Sequence, residues 1–172
     1  MIVVMGIDPG VASTGFGVVR IAGARMTAVD GGVIESQADE PPARRLAHIH
    51  ESLAELLGWH EPAAMALEDL YFGKNVRSAI AVGQARGVAM LAAGQRGVPC
   101  FDYTPQAVKM AVCGSGAAAK RQVQQMVGAL LGLPKPPASD HAADALAVAI
   151  CHAGHVSGAD AAAGERHGVG VG

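Results

Sequence analysis

Two acidic residues directly follow apolar runs that have the character of buried strands. Residues 2–7 lead into Asp8, and residues 63–67 lead into Glu68. A wholly apolar run of this length is typical of a strand inside a sheet. A carboxylate so near the interior needs a hydrogen-bonding partner or a metal ion. Both acids are therefore candidates for metal binding and catalysis.

The segment that begins at Asp8 admits a second interpretation. Asp8-Pro9-Gly10 could be a turn in which the carboxylate only accepts local backbone hydrogen bonds. Residues 13–19, however, predict another strand after a tight link, which would form a hairpin beside Asp8. The hairpin favours a functional role for Asp8 over the turn alone.

A second pair of candidate ligands lies on a predicted helix near the end of the chain. His141 and Asp144 are three positions apart, so they project from the same helical face. Ser139 or Asp140 could cap this helix, and Asp144 could complement its dipole. The dipole explains Asp144 less well, because Asp past the first turn is a weak helix former.

Carboxylates and an imidazole on adjoining elements suit a hard divalent cation such as Mg²⁺ or Mn²⁺. Two such ions about 4 Å apart can activate a water and stabilise the leaving oxygen of a phosphodiester. The sequence therefore predicts a metal-dependent hydrolytic site whose ligands are Asp8, Glu68, His141 and Asp144.

The net charge of −2 conceals a strong zonation along the chain. Residues 70–138 hold 8 basic residues and 1 acidic residue, a net +7, whereas residues 1–69 hold 10 acids and 4 bases. A local field of this size can bind a polyanion. A solvated basic face is the alternative, but Asp102 is the only acid in this zone. The candidate contacts to a nucleic-acid backbone are Lys74, Arg77, Arg86, Lys109, Lys120 and Arg121.

Two aromatic residues, Tyr71 and Phe72, follow Glu68 closely in a predicted loop that also contains Lys74 and Asn75. Rings beside a catalytic acid can wedge between or stack on bases. Packing in the core is the alternative for each ring. The loop is therefore a second candidate segment for binding nucleic acid.

Apolar periodicity predicts an α/β protein in which three strands precede a helix over residues 46–57. A strand over 63–67, a helix over 76–93 and a strand over 98–103 follow. Helices over 106–112, 120–131 and 139–151 complete the order. Gly83 and Gly87, four apart on the second helix, would allow a close helix contact in a core or a dimer.

Length and composition indicate one domain, residues 1–155, because 172 residues with 51% hydrophobic side chains suffice for a single core. Residues 156–172 are expected to be a disordered tail. Neither a signal peptide nor a membrane span is indicated, so a cytoplasmic protein is expected. Cys100, Cys113 and Cys151 lack ligand or disulfide spacing and are expected to be buried thiols.

In combination, several motifs resemble those of the RuvC family of bacterial Holliday-junction resolvases. The resemblance spans about residues 1–155 and rests on Gly6-Ile7-Asp8-Pro9-Gly10, Thr14-Gly15, Leu67-Glu68, Lys74-Asn75, Gly83-Gln84-Ala85-Arg86-Gly87, Lys109, Lys120 and Ala142-Ala143-Asp144-Ala145-Leu146. It implies an RNase H-like fold with a central mixed five-stranded sheet flanked by helices. It further implies a homodimer that nicks two opposed strands of four-way junction DNA symmetrically, in recombination and repair, with RuvA and RuvB as helicase partners.

By this resemblance, Asp8, Glu68 and Asp144 correspond to the family's metal-binding catalytic acids. Tyr71 takes the place of its junction-inserting aromatic residue, and Lys109 and Lys120 correspond to its active-site basic residues. The sequence departs from the pattern at His141, where many members have a fourth acid. A neutral imidazole can still bind a divalent ion, but the site carries one negative charge fewer.

Three other functions compete with this interpretation. An RNase H-like nuclease acting on RNA would keep acids at strand ends, but the motifs at 74–75 and 83–87 are not expected there together. An actin-like ATP-binding fold could use residues 8–15 as a phosphate loop, but it needs two lobes and a longer chain. A catalytically idle junction-binding scaffold would lack a metal-binding acid, and none is missing.

Overall fold

The computed structural model describes residues 1–69 and 76–165 of the chain. Its strands are β1 (Ile2–Asp8), β2 (Ser13–Ala22), β3 (Arg25–Glu35), β4 (Ala64–Glu68) and β5 (Cys100–Tyr103). Its helices are α1 (Pro42–His60), α2 (Val76–Gln95), α3 (Pro105–Cys113), α4 (Lys120–Leu130) and α5 (Asp140–Glu165). The order of strands and helices predicted from the sequence is confirmed.

The strands form one mixed sheet in the order β3-β2-β1-β4-β5. Strand β1 is central, antiparallel to β2 and parallel to β4. Ile7 pairs with Leu67 across the parallel ladder, so Asp8 and Glu68 end neighbouring strands at the same level. The predicted five-stranded mixed sheet is confirmed, and its topology alone places the two acids at one edge.

Local sequence accounts for several helix ends. Helix α1 has Pro42 at its first turn, where the missing N–H costs no helical hydrogen bond. The Thr104 side chain caps α3 by accepting a bond from the Ala107 N–H at 3.1 Å, and Gly114 ends it at φ 71°. At α5, the Ser139 hydroxyl oxygen accepts from the Ala142 N–H at 3.4 Å, as expected of an N-cap.

Helix α5 continues to Glu165, well beyond the predicted end near residue 151. The run of alanines at 161–163 favours the helical conformation through helix propensity alone. Residues 166–172 lie outside the described residues, and the domain boundary at 155 stays a prediction. Within the described parts of the chain, no helix is both long and apolar enough to cross a membrane.

The sheet is covered by helices on both faces, and each interface has its own apolar core. One core joins the sheet to α1 and α2 and is built around Met5, Ile7, Leu53, Met65 and Leu67. The other contains the middle of α5 together with side chains of α3 and α4. Cys151 is buried there, whereas Cys100 and Cys113 are only half-buried, and all three thiols are free.

Helix α5 lies unusually close to the sheet because glycines line its path. A Cβ on Gly6 would lie 1.9 Å from the carbonyl oxygen of Ala145, and one on Gly15 would lie 2.1 Å from that of His141. At Gly17 the added atom would collide with Leu146 at 2.7 Å. The helix backbone therefore occupies the space that ordinary side chains would fill, and only glycine permits its position.

Substitution at one of these glycines should displace the helix. Gly15→Ala is expected to lower the free energy of unfolding by about 3 kcal/mol, because neither backbone can yield without shifting α5. Gly154→Ala is the matched control, since Gly154 lies on an exposed part of the same helix with nothing within 4 Å of the added atom. It should be neutral or stabilise by up to about 1 kcal/mol. Urea unfolding of both variants checks this, and equal stabilities would contradict the close packing.

Candidate active site

The alternation of side chains along β1 and β4 directs both strand-end acids to the α5 face. Met5 and Ile7 pack in the core beneath α1 and α2, and Val4 packs on the opposite face. Because side chains alternate with a period of two, Asp8 lies on the same face as Val4. The same parity carries Glu68 to the α5 face, two residues after Ala66.

The first turn of α5 meets Asp8 directly. His141 Nδ1 lies 2.7 Å from Asp8 Oδ2. An ionised carboxylate can only accept, so Nδ1 carries the proton and the Nε2 of a neutral ring keeps its lone pair. Metal-binding histidines commonly donate their second ring N–H to a carboxylate in this way. The predicted grouping of His141 with Asp8 is therefore present.

A lysine at the start of α4 bridges two acids of α5. Lys120 Nζ lies 3.2 Å from Asp140 Oδ2 and 3.2 Å from Asp144 Oδ2. Asp140 and Asp144 are four apart, so one ammonium group reaches both. Desolvation opposes the shift, but the bonds and charges of the two acids raise the pKa of Lys120.

A cavity of about 240 Å³ opens between the end of β4, α3, α4 and α5. Glu68, Asp144, Lys109 and Lys120 line it together with apolar side chains such as Val108. Acidic and basic groups thus face each other across one small space. This arrangement suits an anionic substrate held next to a cation-binding site.

The carboxylates repel one another in this partly buried environment. Burial raises the pKa of Asp8, the hydrogen bond from His141 opposes this, and the charge of Asp144 adds to it. Burial first, and then the charges of Asp8 and Asp144, raise the pKa of Glu68 to about 6, against the two lysines of the cavity. A site in which carboxylates resist ionisation is one that a bound cation would stabilise.

Two further groups support the strand ends and were not singled out from the sequence. Thr14 is fully buried, and its hydroxyl donates to the Gly10 carbonyl at 2.6 Å, which holds the turn after Asp8. Asp102 of β5 pairs with Arg86. Thr14 appeared only as part of a family motif, and the partner of Asp102 depends on how α2 packs, which no local pattern reveals.

The remaining predicted DNA contacts differ in their surroundings. Arg77 and Arg121 are exposed, on α2 and α4. The Arg86 side chain is only 11% exposed and is bonded within the protein. Four residues lie outside the described residues, so their predicted roles stay predictions: Tyr71, Phe72, Lys74 and Asn75.

The acids are near one another but do not form a closed cage. Within residues 1–69 and 76–165, no three His, Cys, Asp or Glu side chains converge closely enough to hold a metal ion. Asp8 is bonded to His141 and Asp144 to Lys120. The donor set of carboxylates and one imidazole nevertheless fits a hard divalent ion, as does the mutual repulsion of the acids.

A mixed five-stranded sheet in this order, with helices on both faces, is the RNase H-like fold. A yeast mitochondrial Holliday junction resolvase shares this fold with a TM-score of 0.62 at 13% identity, over 86% of this chain and 77% of that one. The family model described as crossover junction endodeoxyribonuclease RuvC matches residues 4–152, and this chain belongs to that family.

Individual relatives agree with the family model. Crossover junction endodeoxyribonuclease RuvC of Pelotomaculum thermopropionicum is 53% identical over 152 residues, 88% of this chain and 93% of the relative. The same protein of Rubrobacter xylanophilus is 52% identical over 151 residues, 88% and 84% respectively. The solved structure of T. thermophilus RuvC in complex with Holliday junction substrate matches with a TM-score of 0.89 at 39% identity, covering 92% of this chain and 97% of that one. The resemblance seen in the motifs is confirmed.

The cost of ionising Glu68 in the folded protein should be measurable as a gain in stability when its carboxylate is removed. Glu68→Gln removes a carboxylate whose pKa is about 6 rather than the usual 4.5. The ionised form therefore destabilises the folded state above pH 6, and this cost disappears as the pH falls towards 4.5. The metal-free variant should be more stable than wild type at pH 8 and lose this gain near pH 4.5; because solvent screens the partly exposed carboxylate, the gain should be about 1 kcal/mol, less than the full shift would give.

Thermal or urea unfolding at both pH values in EDTA measures this difference. Glu55→Gln is the matched control, because Glu55 is exposed on α1, which covers the face of the sheet opposite α5. It should give no gain at pH 8. A Glu68→Gln protein that is less stable than wild type at pH 8 would show that the site carboxylates are not in mutual repulsion.

Proposed function

We propose that this protein is a metal-dependent endodeoxyribonuclease that resolves four-way DNA junctions by paired, symmetric nicks in recombination and repair. The proposal rests on the bond between His141 and Asp8 and on the mutual repulsion of Asp8, Glu68 and Asp144 at one edge of the sheet, in a chain of the RuvC family. The match to T. thermophilus RuvC in complex with Holliday junction substrate supports junction DNA as the substrate.

Divalent ions, Mg²⁺ or Mn²⁺, would be held by Asp8, Glu68, His141 and Asp144. A pair of ions held there would supply an activated water and stabilise the leaving oxygen of the phosphodiester. Asp8 and Asp144 are bonded to His141 and Lys120 in the protein itself. On binding an ion, Asp8 and Asp144 would exchange these protein partners for the ion. Without an ion, His141 and Lys120 offset part of the repulsion between the carboxylates.

The basic groups would hold the DNA. Lys109 and Lys120 line the cavity beside Glu68 and present ammonium groups to phosphate oxygens. The exposed Arg77 of α2 and Arg121 of α4 are further candidates for phosphate contacts. Tyr71 and Phe72, which follow Glu68 in the sequence, are proposed to insert at or stack on bases near the scissile phosphate. RuvA and RuvB remain proposed partners, and the cytoplasm the proposed compartment.

Paired nicking requires two copies of the site, and α2 offers the surface for a homodimer. Its outward face exposes Ile80 at 57%, Met90 at 42% and Leu91 at 54%, unusually apolar for a solvated helix. Gly87 lies on the same side with nothing within 4 Å of an added Cβ. A two-fold dimer through this face would present two identical sites to the two equivalent strands.

Junction cleavage and junction binding should separate on removal of a single acid. Asp8→Asn, Glu68→Gln or Asp144→Asn should each reduce nicking of a synthetic four-way junction by at least about 1,000-fold. Affinity for the junction in EDTA should stay within about threefold, because phosphate contacts come from the basic groups. Single-turnover cleavage in Mg²⁺ and in Mn²⁺, with gel-shift titration, measures both quantities.

Linear duplex, Y-shaped DNA and an RNA–DNA hybrid serve as comparison substrates for the wild-type protein. Asp39→Asn, an exposed acid before α1, is the matched control and should cut as wild type does. Preferential cleavage of the hybrid would favour the RNA-directed alternative. Undiminished nicking by Asp8→Asn would remove the carboxylate site from the mechanism.

Cleavage should fall on the acid side as Glu68 takes up a proton. The pKa of its carboxyl is about 6 in the protein without metal, and only the ionised form binds a cation. Activity should therefore decline as the pH drops through about 6. Because metal and proton compete for the same oxygens, the midpoint should move to lower pH at higher Mn²⁺ concentration. A midpoint independent of metal concentration would assign the titration to a group other than a ligand.

Charge on the outer face of α2 should break the dimer. Leu91→Glu is expected to raise the dimer dissociation constant at least about 100-fold, since it would bury an unpaired carboxylate between two apolar faces. Met110→Glu on α3 is the matched control, because Met110 is exposed to almost the same degree, 55%. Sedimentation equilibrium without DNA measures both variants. A wild-type monomer at micromolar concentration would exclude dimerisation through this face.

A further inference from the structure

Arg86 of α2 is bonded at both ends of its guanidinium group inside the protein. Its Nη1 donates to the backbone carbonyl of Glu68 at 3.1 Å. Its Nη2 donates to the carboxylate of Asp102 on β5. The side chain is only 11% exposed, whereas that of Asp102 is 50% exposed. One side chain thus joins a helix to the ends of two strands.

Arg86 bonds to the end of β4, because Glu68 is the last residue of that strand. Its strand is held on the β5 side by pairing with Tyr103 and by the bond from the Asp69 N–H to the Tyr103 carbonyl at 2.7 Å. Arg86 adds a charge-assisted bond to the carbonyl of Glu68 itself. The peptide next to the side chain that must meet Asp8 is therefore fixed from α2 as well as from the sheet.

A contact with DNA makes different demands on an arginine. A phosphate contact needs an exposed guanidinium group whose charge is not already balanced. Arg86 is mostly covered, and Asp102 lies against it. The guanidinium group carries several N–H donors in a fixed geometry, so Arg86 can bond to the Glu68 carbonyl and the Asp102 carboxylate at the same time.

We propose that Arg86 is a positioning residue for Glu68, with Asp102 as the counter-ion that holds its guanidinium group in place. It acts on the cation-binding geometry and not on DNA affinity. The inference deepens the proposed function, since it assumes that Glu68 is a ligand of that site. Loss of Arg86 lets the end of β4 move relative to Asp8 and Asp144, and the carboxylates no longer meet a shared cation together.

The experiment compares Arg86→Met, which keeps an apolar stem, with Arg86→Lys and Asp102→Asn. Arg96→Met is the matched control, because Arg96 is an exposed arginine just after the end of α2, and its guanidinium group lies near Gly58 of α1. Free Mn²⁺ is measured by electron paramagnetic resonance during titration of each protein without DNA. Junction affinity in EDTA, its salt dependence, and single-turnover cleavage as a function of Mn²⁺ are measured alongside, and melting temperature is recorded for every variant.

Arg86→Met should bind Mn²⁺ at least about tenfold more weakly and need correspondingly more Mn²⁺ for half-maximal cleavage. Its junction affinity should stay within about twofold, with an unchanged salt slope. Arg86→Lys should recover part of the metal affinity, because an ammonium group can reach one of the two acceptors. Asp102→Asn should shift in the same direction by less, because its amide oxygen still accepts. Arg96→Met should match wild type in all measurements.

Unchanged Mn²⁺ affinity with a salt slope reduced by about one would identify Arg86 as a phosphate contact and overturn the proposal. If Arg86→Met does not fold, Asp102→Asn decides: with a wild-type melting temperature, weakened Mn²⁺ binding supports positioning and unchanged binding refutes it. If the wild-type protein fails to cut junctions, the proposed function fails. The Mn²⁺ titrations still decide the role of Arg86.

Discussion

The contact of helix α5 with glycines of the sheet is the constraint on which the site depends. At Gly6 and Gly15 the helix backbone lies where a Cβ would be, so α5 is seated closer to the strands than side chains would allow. That distance brings His141 within 2.7 Å of Asp8. It also allows the middle of the helix to fill one of the two cores. Stability of the fold and geometry of the site therefore share one interface.

The site combines this rigid support with electrostatic repulsion. Asp8, Glu68 and Asp144 lie close enough for their charges to act on one another, and burial adds to the cost of ionising the first two. The protein offsets part of that cost with the imidazole of His141 and the ammonium group of Lys120. The repulsion that remains lowers the stability of the folded protein.

Much of this architecture could be predicted from local patterns. Apolar runs that end in Asp8 and Glu68 predict strand-end acids, and alternation along a strand fixes the face on which each acid lies. The spacing of His141 and Asp144 predicts one helical face. These features depend on neighbours along the chain, so a sequence contains them directly.

The rest depends on how distant elements pack. Asp8 and His141 are 133 positions apart, and the bridge from Lys120 to two acids of α5 requires the relative placement of α4 and α5. The charge of Arg86 predicted a DNA contact. Its bonds to Glu68 and Asp102, however, depend on the position of α2 relative to the ends of β4 and β5. Charge along a chain does not reveal whether a cationic side chain faces solvent or is bonded to a backbone carbonyl.

The glycines under α5 also limit how the gene can change. Every missense mutation of the codons for Gly6 and Gly15 introduces at least one carbon atom beyond the backbone, at points where 1.9 and 2.1 Å separate that atom from the helix. No substitution there is conservative. Inherited variation should therefore be scarce at these codons and tolerated at Gly154, where the same change meets open space.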